Sequence, residues 1–356
     1  MALLSRRFLA RSKQPRLLII GANFAGLAAA RGLTPTDFKV TIVDPAEHVE
    51  WLPNVHELLS KRKTPDQLRH NRREVIAKLG HEFIQDSVKS IDPGSKRLTT
   101  TAGLELDYDI LVIAVGRNAR TDAIRGVAEH ALTTKSIASC HRISNGLTRL
   151  AALPGERSVA IVGAGVEGLE MLGEILRRFG GQERLHLHLV DGRERLFDRF
   201  PGLDDHIIQR MGGHVTLHLG VRVSEVTAEG VVLENDSLVP SRLTIWTAGY
   251  QGHPLLTQAG LAAPNQDAPV SKSLQSERFP DIFIIGDAAK HPSTLEKQAY
   301  HAQDMGKHIA AHMLAYVKKG EMPPFRPRPK PSLVTFGDRD AFMIYGDHVL
   351  ASPSLL

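Results

Sequence analysis

Two short stretches of the chain combine residue types and spacings suited to holding a phosphate. In the first, Leu17-Leu18-Ile19-Ile20 runs into Gly21-Ala22-Asn23-Phe24-Ala25-Gly26; in the second, Ser158-Val159-Ala160-Ile161-Val162 runs into Gly163-Ala164-Gly165-Val166-Glu167-Gly168. Each reads as a buried strand, a tight turn and the start of a helix. Such a junction aims free backbone N–H groups and the positive end of a helix dipole at one point, which suits a pyrophosphate. The second copy has all three glycines of the GxGxxG fingerprint. The first has Asn23 at the middle glycine position, where the backbone should come closest to the phosphates. Asn is the next most tolerant residue of left-handed backbone, so Asn23 reads as a tolerated variant, with Phe24 and Ala25 completing the turn.

Each turn has an acidic partner downstream. Phe38-Lys39-Val40-Thr41-Ile42-Val43-Asp44 and Leu185-His186-Leu187-His188-Leu189-Val190-Asp191 read as strands ending in a carboxylate, which can accept hydrogen bonds from the hydroxyls of an adenosine ribose. Two complete copies of strand, glycine turn, helix, strand and acid are more specific than one, and imply two bound dinucleotides. Asp191 favours NADH by repelling a 2′-phosphate, while Arg193 and Arg195 just beyond it could accept that phosphate, so NADPH stays open. Glu167 lies inside the second turn, where a carboxylate would repel a pyrophosphate unless it points to solvent. Elsewhere, Asp281-Ile282-Phe283-Ile284-Ile285-Gly286-Asp287 reads as a buried strand followed by an exposed Asp at a helix start.

The elements that must position these residues fit an α/β chain. At 356 residues it is long enough for two domains of the usual size of about 150 residues. Strands 108–117 and 243–249 each stop at a glycine, Gly116 and Gly249, and would return the chain to a sheet. Residues 83–88 and 97–101 read as short strands around the turn Asp92-Pro93-Gly94, and residues 53–80 as a helical, basic stretch with mostly solvated charges. Residues 295–317 read as a helix, 323–331 as a proline-rich connector and 332–356 as strand-like.

Composition sets limits on the chemistry. The 44 basic residues against 39 acidic ones are a small excess spread along the chain, which argues against nucleic acid as a partner. No apolar run is long enough to span a bilayer. Residues 1–15 carry Arg6, Arg7, Arg11 and Lys13 and read as a solvated basic tail, with a presequence or a membrane-surface helix as alternatives. Cys140 is the single cysteine, so an intrachain disulfide, a redox-active thiol pair and a cysteine-based metal site are excluded, which also fits a reducing, cytoplasmic compartment. Its own reading is a small buried residue. His186, His188, His214 and His218 lack zinc spacing and read as strand positions, so no metal is expected.

With both copies and Gly286-Asp287 in place, residues 16–345 resemble the two-dinucleotide-binding flavoprotein superfamily, the pyridine nucleotide-disulfide oxidoreductase fold. The resemblance implies two Rossmann-like domains, FAD on the first copy (Gly21, Gly26, Asp44), NAD(P)H on the second (Gly163, Gly165, Gly168, Asp191) and Asp287 against the flavin's ribityl chain and phosphate. Ala114-Val115-Gly116 and Thr247-Ala248-Gly249 resemble the elements where the chain crosses between domains. An FAD domain over 16–125 and 242–325 would thus hold an inserted NAD(P)H domain over 126–241, followed by a short segment over 326–356.

Within the superfamily the chain is most similar to type II NADH:quinone oxidoreductases and the ferroptosis-suppressor type of quinone reductase. Trp51-Leu52-Pro53 resembles their aromatic-x-Pro element, placing Pro53 near the flavin; Glu170 and Glu174 match the acids after the NAD glycines, and 331–337 the strand opening their C-terminal region. The implied chemistry is hydride transfer from NAD(P)H to flavin, then electron transfer to a quinone-like or small organic acceptor. Glu170 would orient the nicotinamide, and Tyr300 and His301 would face the acceptor. Three departures are visible. The disulfide branch's cysteines are missing, which excludes reduction through an enzyme thiol. The quinone-side Ala-Gln-x-Ala-x-Gln-Gln-Gly becomes Ala299-Tyr300-His301-Ala302-Gln303-Asp304-Met305-Gly306. The chain stops before the usual membrane-binding helices, so at most peripheral membrane contact is expected. Alternatives are a reductase feeding a protein such as a ferredoxin, or a redox-sensing flavoprotein like apoptosis-inducing factor; a homodimer is compatible with all of these.

Overall fold

The structure, a computed structural model, describes residues 14–155, 157–181, 185–197, 200–293 and 296–352. Residues 1–13 of the basic tail, Leu295 at the expected helix start and residues 353–356 lie outside them. The chain forms two compact units. Of the described residues, those within 14–49, 70–118 and 251–328 form one, and those within 50–69, 119–250 and 329–352 form the other.

The first unit is built on a five-stranded parallel sheet in the order Ile282–Ile284, Ile110–Ile113, Arg16–Ile20, Lys39–Val43, Glu82–Ile84. Leu17, Ile19 and all of Ile110 to Ile113 are fully buried. A parallel sheet is covered on both faces, which is why its strands are continuous apolar runs. Helix Phe24–Gly32 packs on helix Ala299–Lys319 at very short range. A Cβ on Gly306 would lie 2.2 Å from the Ala25 carbonyl oxygen, and one on Gly32 would lie 2.6 Å from the Ala310 Cβ. Small residues therefore set the distance between the two helices. The expected strand 83–88 divides: Glu82–Ile84 joins the parallel sheet, and Val88–Asp92 starts a separate antiparallel sheet with Arg97–Thr100 and Glu105–Asp107.

The second unit repeats the plan with the order Ala131–Thr133, Leu243–Trp246, Arg157–Val162, Leu185–Asp191, Val215–Leu219, all parallel. Helices Ile137–Ala152 and Val166–Phe179 cover it. An antiparallel sheet of Ser332–Phe336, Asp340–Tyr345 and His348–Ala351 belongs to this unit. Its turn lies on the Val166–Phe179 helix so closely that a Cβ on Gly173 would be 2.4 Å from the Gly337 nitrogen. That contact is why the C-terminal segment clusters here instead of standing apart. Residues 50–69 join the same unit, through the 3₁₀ segment Leu52–Leu58 whose Val55, Leu58 and Leu59 enter its core. The helix expected over 53–80 is instead that 3₁₀ segment, a second over Pro65–Gln67 and the short helix Arg72–Ala77. No helix among the described residues is long and apolar enough to cross a membrane.

Candidate functional site

In the first unit the glycine turn is fixed by sterics. Gly21 has φ +90°, and a Cβ there would meet the Ala114 carbonyl oxygen at 2.4 Å; a Cβ on Gly26 would meet the Gly21 carbonyl oxygen at 1.8 Å. Ala114 thus forms one wall of the turn, and neither glycine can be replaced without moving backbone. Asn23 is different. It precedes helix Phe24–Gly32 with a negative φ of −104°, so the tolerance of left-handed backbone expected of it is not called upon. Its side chain makes no capping bond, and its Oδ1 is buried without a partner. That oxygen is an acceptor, so the donors this turn can offer an anion are the backbone N–H groups of the helix start.

Asp44 ends its strand as expected. Its Oδ2 accepts the Ala22 N–H at 2.7 Å, its Oδ1 accepts the Ala46 N–H at 2.9 Å, and Arg72 pairs with it. The Arg72 side chain is only 4 % exposed, and burial lowers its guanidinium to about 10. Arg72 also donates to the Ala46 carbonyl at 3.0 Å. Sequence reasoning missed this residue, placing it among solvated basic charges. Gly286, at φ +69°, brings the Asp287 turn to the glycine turn: a Cβ on it would lie 3.1 Å from the Ala25 Cβ. Asp287 is half-buried, and its carbonyl accepts from Lys297 Nζ at 3.0 Å. Gly116, at φ +69°, has open space where a Cβ would be.

Tyr300 and His301 occupy the first turn of helix Ala299–Lys319 in this unit. His301 is buried, its Nδ1 held at 3.0 Å by the Glu296 carbonyl and its ring against Tyr300 at 5.5 Å. A carbonyl partner makes Nδ1 the protonated nitrogen.

The second unit carries the intact turn. Gly163 has φ +104°, and a Cβ there would be 2.6 Å from Thr247 Oγ1; a Cβ on Gly168 would be 1.9 Å from the Gly163 carbonyl oxygen. A Cβ on Gly165 would meet nothing, so that position faces open space. Gly163, Gly165, Asp191 and Gly249 line one cleft of about 530 Å³, together with Arg193, Arg222 and Trp246. Asp191 Oδ2 accepts the Ala164 N–H at 2.6 Å. Arg193 clamps the same carboxylate, with Nε at 3.0 Å and Nη2 at 3.1 Å. Against the cost of burial, these bonds from Arg193 and Ala164 hold the Asp191 carboxyl below its usual range. The carboxylate at this strand end is therefore already covered by a cation.

Glu167 is half-buried and accepts hydrogen bonds from the Thr134 and Tyr250 hydroxyls, and Lys135 Nζ lies 3.8 Å from the Tyr250 ring centre. Its charge is thereby engaged away from the Gly165 opening. Glu170 is embedded nearby. Its Oε2 lies 3.5 Å from His56 Nδ1, and its Oε1 accepts the Thr335 N–H at 3.4 Å. His56 Nε2 meets Thr335 Oγ1 at 3.2 Å. Burial, then the charges of Glu167, Glu174 and Glu57, push Glu170 up to about 8, while burial pushes His56 down to about 4. At neutral pH the two are uncharged and Glu170 carries a proton. Nothing in the sequence marks His56; Pro53, three residues earlier, is exposed at the start of the same 3₁₀ segment. Cys140 is buried, its thiol raised by burial and donating to the Thr134 carbonyl. His188 and His218 meet across neighbouring strands at 3.2 Å.

Two sheets that each present a glycine turn, a helix and a strand-end acid define a class. The chain belongs to the pyridine nucleotide-disulphide oxidoreductase family, whose model matches residues 15–306. It is an FAD-dependent NAD(P)H oxidoreductase with two Rossmann-like domains. It is similar to the type II NADH:quinone oxidoreductase of Staphylococcus saprophyticus, 22% identical over 328 residues that cover 84% of this chain and 81% of that one. In fold it is similar to NDH2 of Plasmodium falciparum solved in complex with NADH, with TM-score 0.85 and 15% identity over 95% of this chain and 92% of that one. The ferredoxin reductase of the CYP199A2 system of Rhodopseudomonas palustris follows the same fold, with TM-score 0.79 and 22% identity over 94% of this chain and 82% of that one.

Proposed function

We propose that the protein oxidises NADH or NADPH and reduces a quinone-like or small organic acceptor. The observation that carries this reading is the pair of sterically enforced glycine turns, one in each unit, each tied by a backbone N–H to its own strand-end carboxylate. The residues fit the two groups. Gly165 leaves room for a pyrophosphate, and the backbone N–H groups at the start of helix Phe24–Gly32 offer donors for another. When bound, the flavin supplies hydride acceptance from the nicotinamide and onward electron release. Asp44 and Asp191 hold the ribose ends, and the buried Arg72 orients Asp44 by pairing with it. Glu170, kept protonated, has its oxygens on His56 and the Thr335 N–H, so it serves the nucleotide by fixing the helix that follows the second glycine turn. Tyr300 is the polar group on the acceptor side, and His301 fixes the turn that carries it.

The relatives' names favour a quinone as acceptor. The alternative of a protein acceptor would be supported by one continuous basic patch, but the basic run at 61–73 is broken up. Arg62 pairs with Glu57, Arg69 with Asp66, and Arg72 is buried. We place the protein at most peripherally on a membrane, and a homodimer is the assembly to test by light scattering. Steady-state oxidation of NADH and of NADPH with a short-chain quinone and with an acidic ferredoxin tests the reading. Turnover with the quinone is expected; turnover with the ferredoxin alone would overturn it.

A further inference from the structure

A second hollow of about 510 Å³ lies on the first unit, between the outer part of helix Ala299–Lys319 and the proline-rich connector that follows it. Lys307, His308 and His312 line it from the helix, and Arg326 and Arg328 from the connector. His308 and His312 are one helical turn apart with ring centres at 4.7 Å, so they share a face. The connector is fixed and not merely draped. Phe325 is buried, its N–H bonds the Lys272 carbonyl at 2.8 Å, and its ring stands edge-on to His308 at 5.5 Å and to His291 at 5.7 Å. His308 Nε2 holds the Pro323 carbonyl at 2.9 Å, and prolines at 323, 324 and 327 restrict the backbone.

Charge in this hollow is unbalanced. Asp304 is its single carboxylate and stands 3.8 Å from the exposed Lys307, a weak pair. Among the described residues no carboxylate pairs with Arg326 or Arg328. Guanidinium forks match tetrahedral oxyanions, and two of them with a lysine suit more than one negative charge, while burial disfavours the charged form of His308. The hollow is too small and carries too few cations for a nucleic-acid strand. We propose that this cleft binds a phosphate-bearing ligand of two or more charges, either a soluble diphosphate or a phosphorylated lipid headgroup.

The test uses the FAD-loaded protein with saturating NAD⁺, so that both dinucleotide turns are occupied. Calorimetric titration with inorganic pyrophosphate is run beside flotation with phosphatidylcholine vesicles containing or lacking phosphatidic acid. One saturable site is expected, weakened at least about tenfold by Arg326→Ala/Arg328→Ala and also by Lys307→Ala, and unchanged by Lys89→Ala, whose residue does not line the hollow. Pyrophosphate binding alone identifies a soluble source, and vesicle binding lost in the same variants identifies a headgroup. Absence of saturable binding in both arms, or binding that Arg326→Ala/Arg328→Ala leaves intact in a variant of unchanged melting temperature, overturns the proposal.

Discussion

Replacing Glu170 by Gln should change how stability depends on pH, and the sign follows from its surroundings. Its carboxyl titrates near 8 in the fold against an ordinary 4.5, because burial and then Glu167, Glu174 and Glu57 penalise the charge. The folded state therefore binds a proton that the unfolded chain has released. That stabilisation is complete below about 4.5 and is lost as pH rises through 8. The ceiling is on the order of 5 kcal/mol at one proton. The side chain is 16 % exposed and the Thr335 N–H partly satisfies the anion, so we expect about 2–3 kcal/mol. His56 works in the opposite sense: buried neutral, it contributes stability above 6.5 that disappears toward 4, in both proteins. Thermal melts of the wild type and Glu170→Gln should nearly coincide at pH 5 and separate by about 5–10 °C at pH 9, with Gln the more stable. A difference that stays constant across that range would refute the argument that Glu170 is held protonated.

The remaining predictions concern the two turns and one helix contact. Gly26→Ala places a Cβ 1.8 Å from a backbone oxygen and should cost about 1–3 kcal/mol, read as reduced flavin content after gel filtration, whereas Asn23→Gly should leave flavin affinity unchanged or raise it. Arg193→Ala uncovers Asp191 and removes a phosphate-binding fork, so the ratio of dissociation constants should move toward NADH by about tenfold, as measured by fluorescence titration. An unchanged ratio would show that Arg193 does not read the ribose end. Gly173→Ala should lower the melting temperature by several degrees, because the added Cβ meets the Gly337 backbone; retention of full stability would mean that the C-terminal sheet can shift freely.

The sheets and both glycine turns were legible because their requirements are local. A parallel strand buried on both faces must be an apolar run, Gly26 and Gly168 are demanded by the carbonyls of Gly21 and Gly163 a few residues earlier, and Gly21 and Gly163 by their own left-handed backbone. Asn23 shows where the same logic misleads: it stands at a motif position, but its φ is negative, so the left-handed tolerance that made it an acceptable variant is not used. Arg72 and His56 were illegible for a different reason. One pairs with Asp44 and the other with Glu170, and sequence separation hides which basic residue of a run turns inward. The clustering of 50–69 and 329–356 with the second unit likewise depends on packing, at Val55 to Leu59 and at Gly337, that no local pattern announces.

The most direct test of the central claim is an anaerobic titration of the purified protein with NADH and, separately, NADPH, followed by the flavin absorbance. The account predicts a yellow protein whose flavin band bleaches completely with about one equivalent of reduced nucleotide. A protein that carries no flavin after reconstitution with FAD, or whose bound flavin neither nucleotide bleaches, would contradict it.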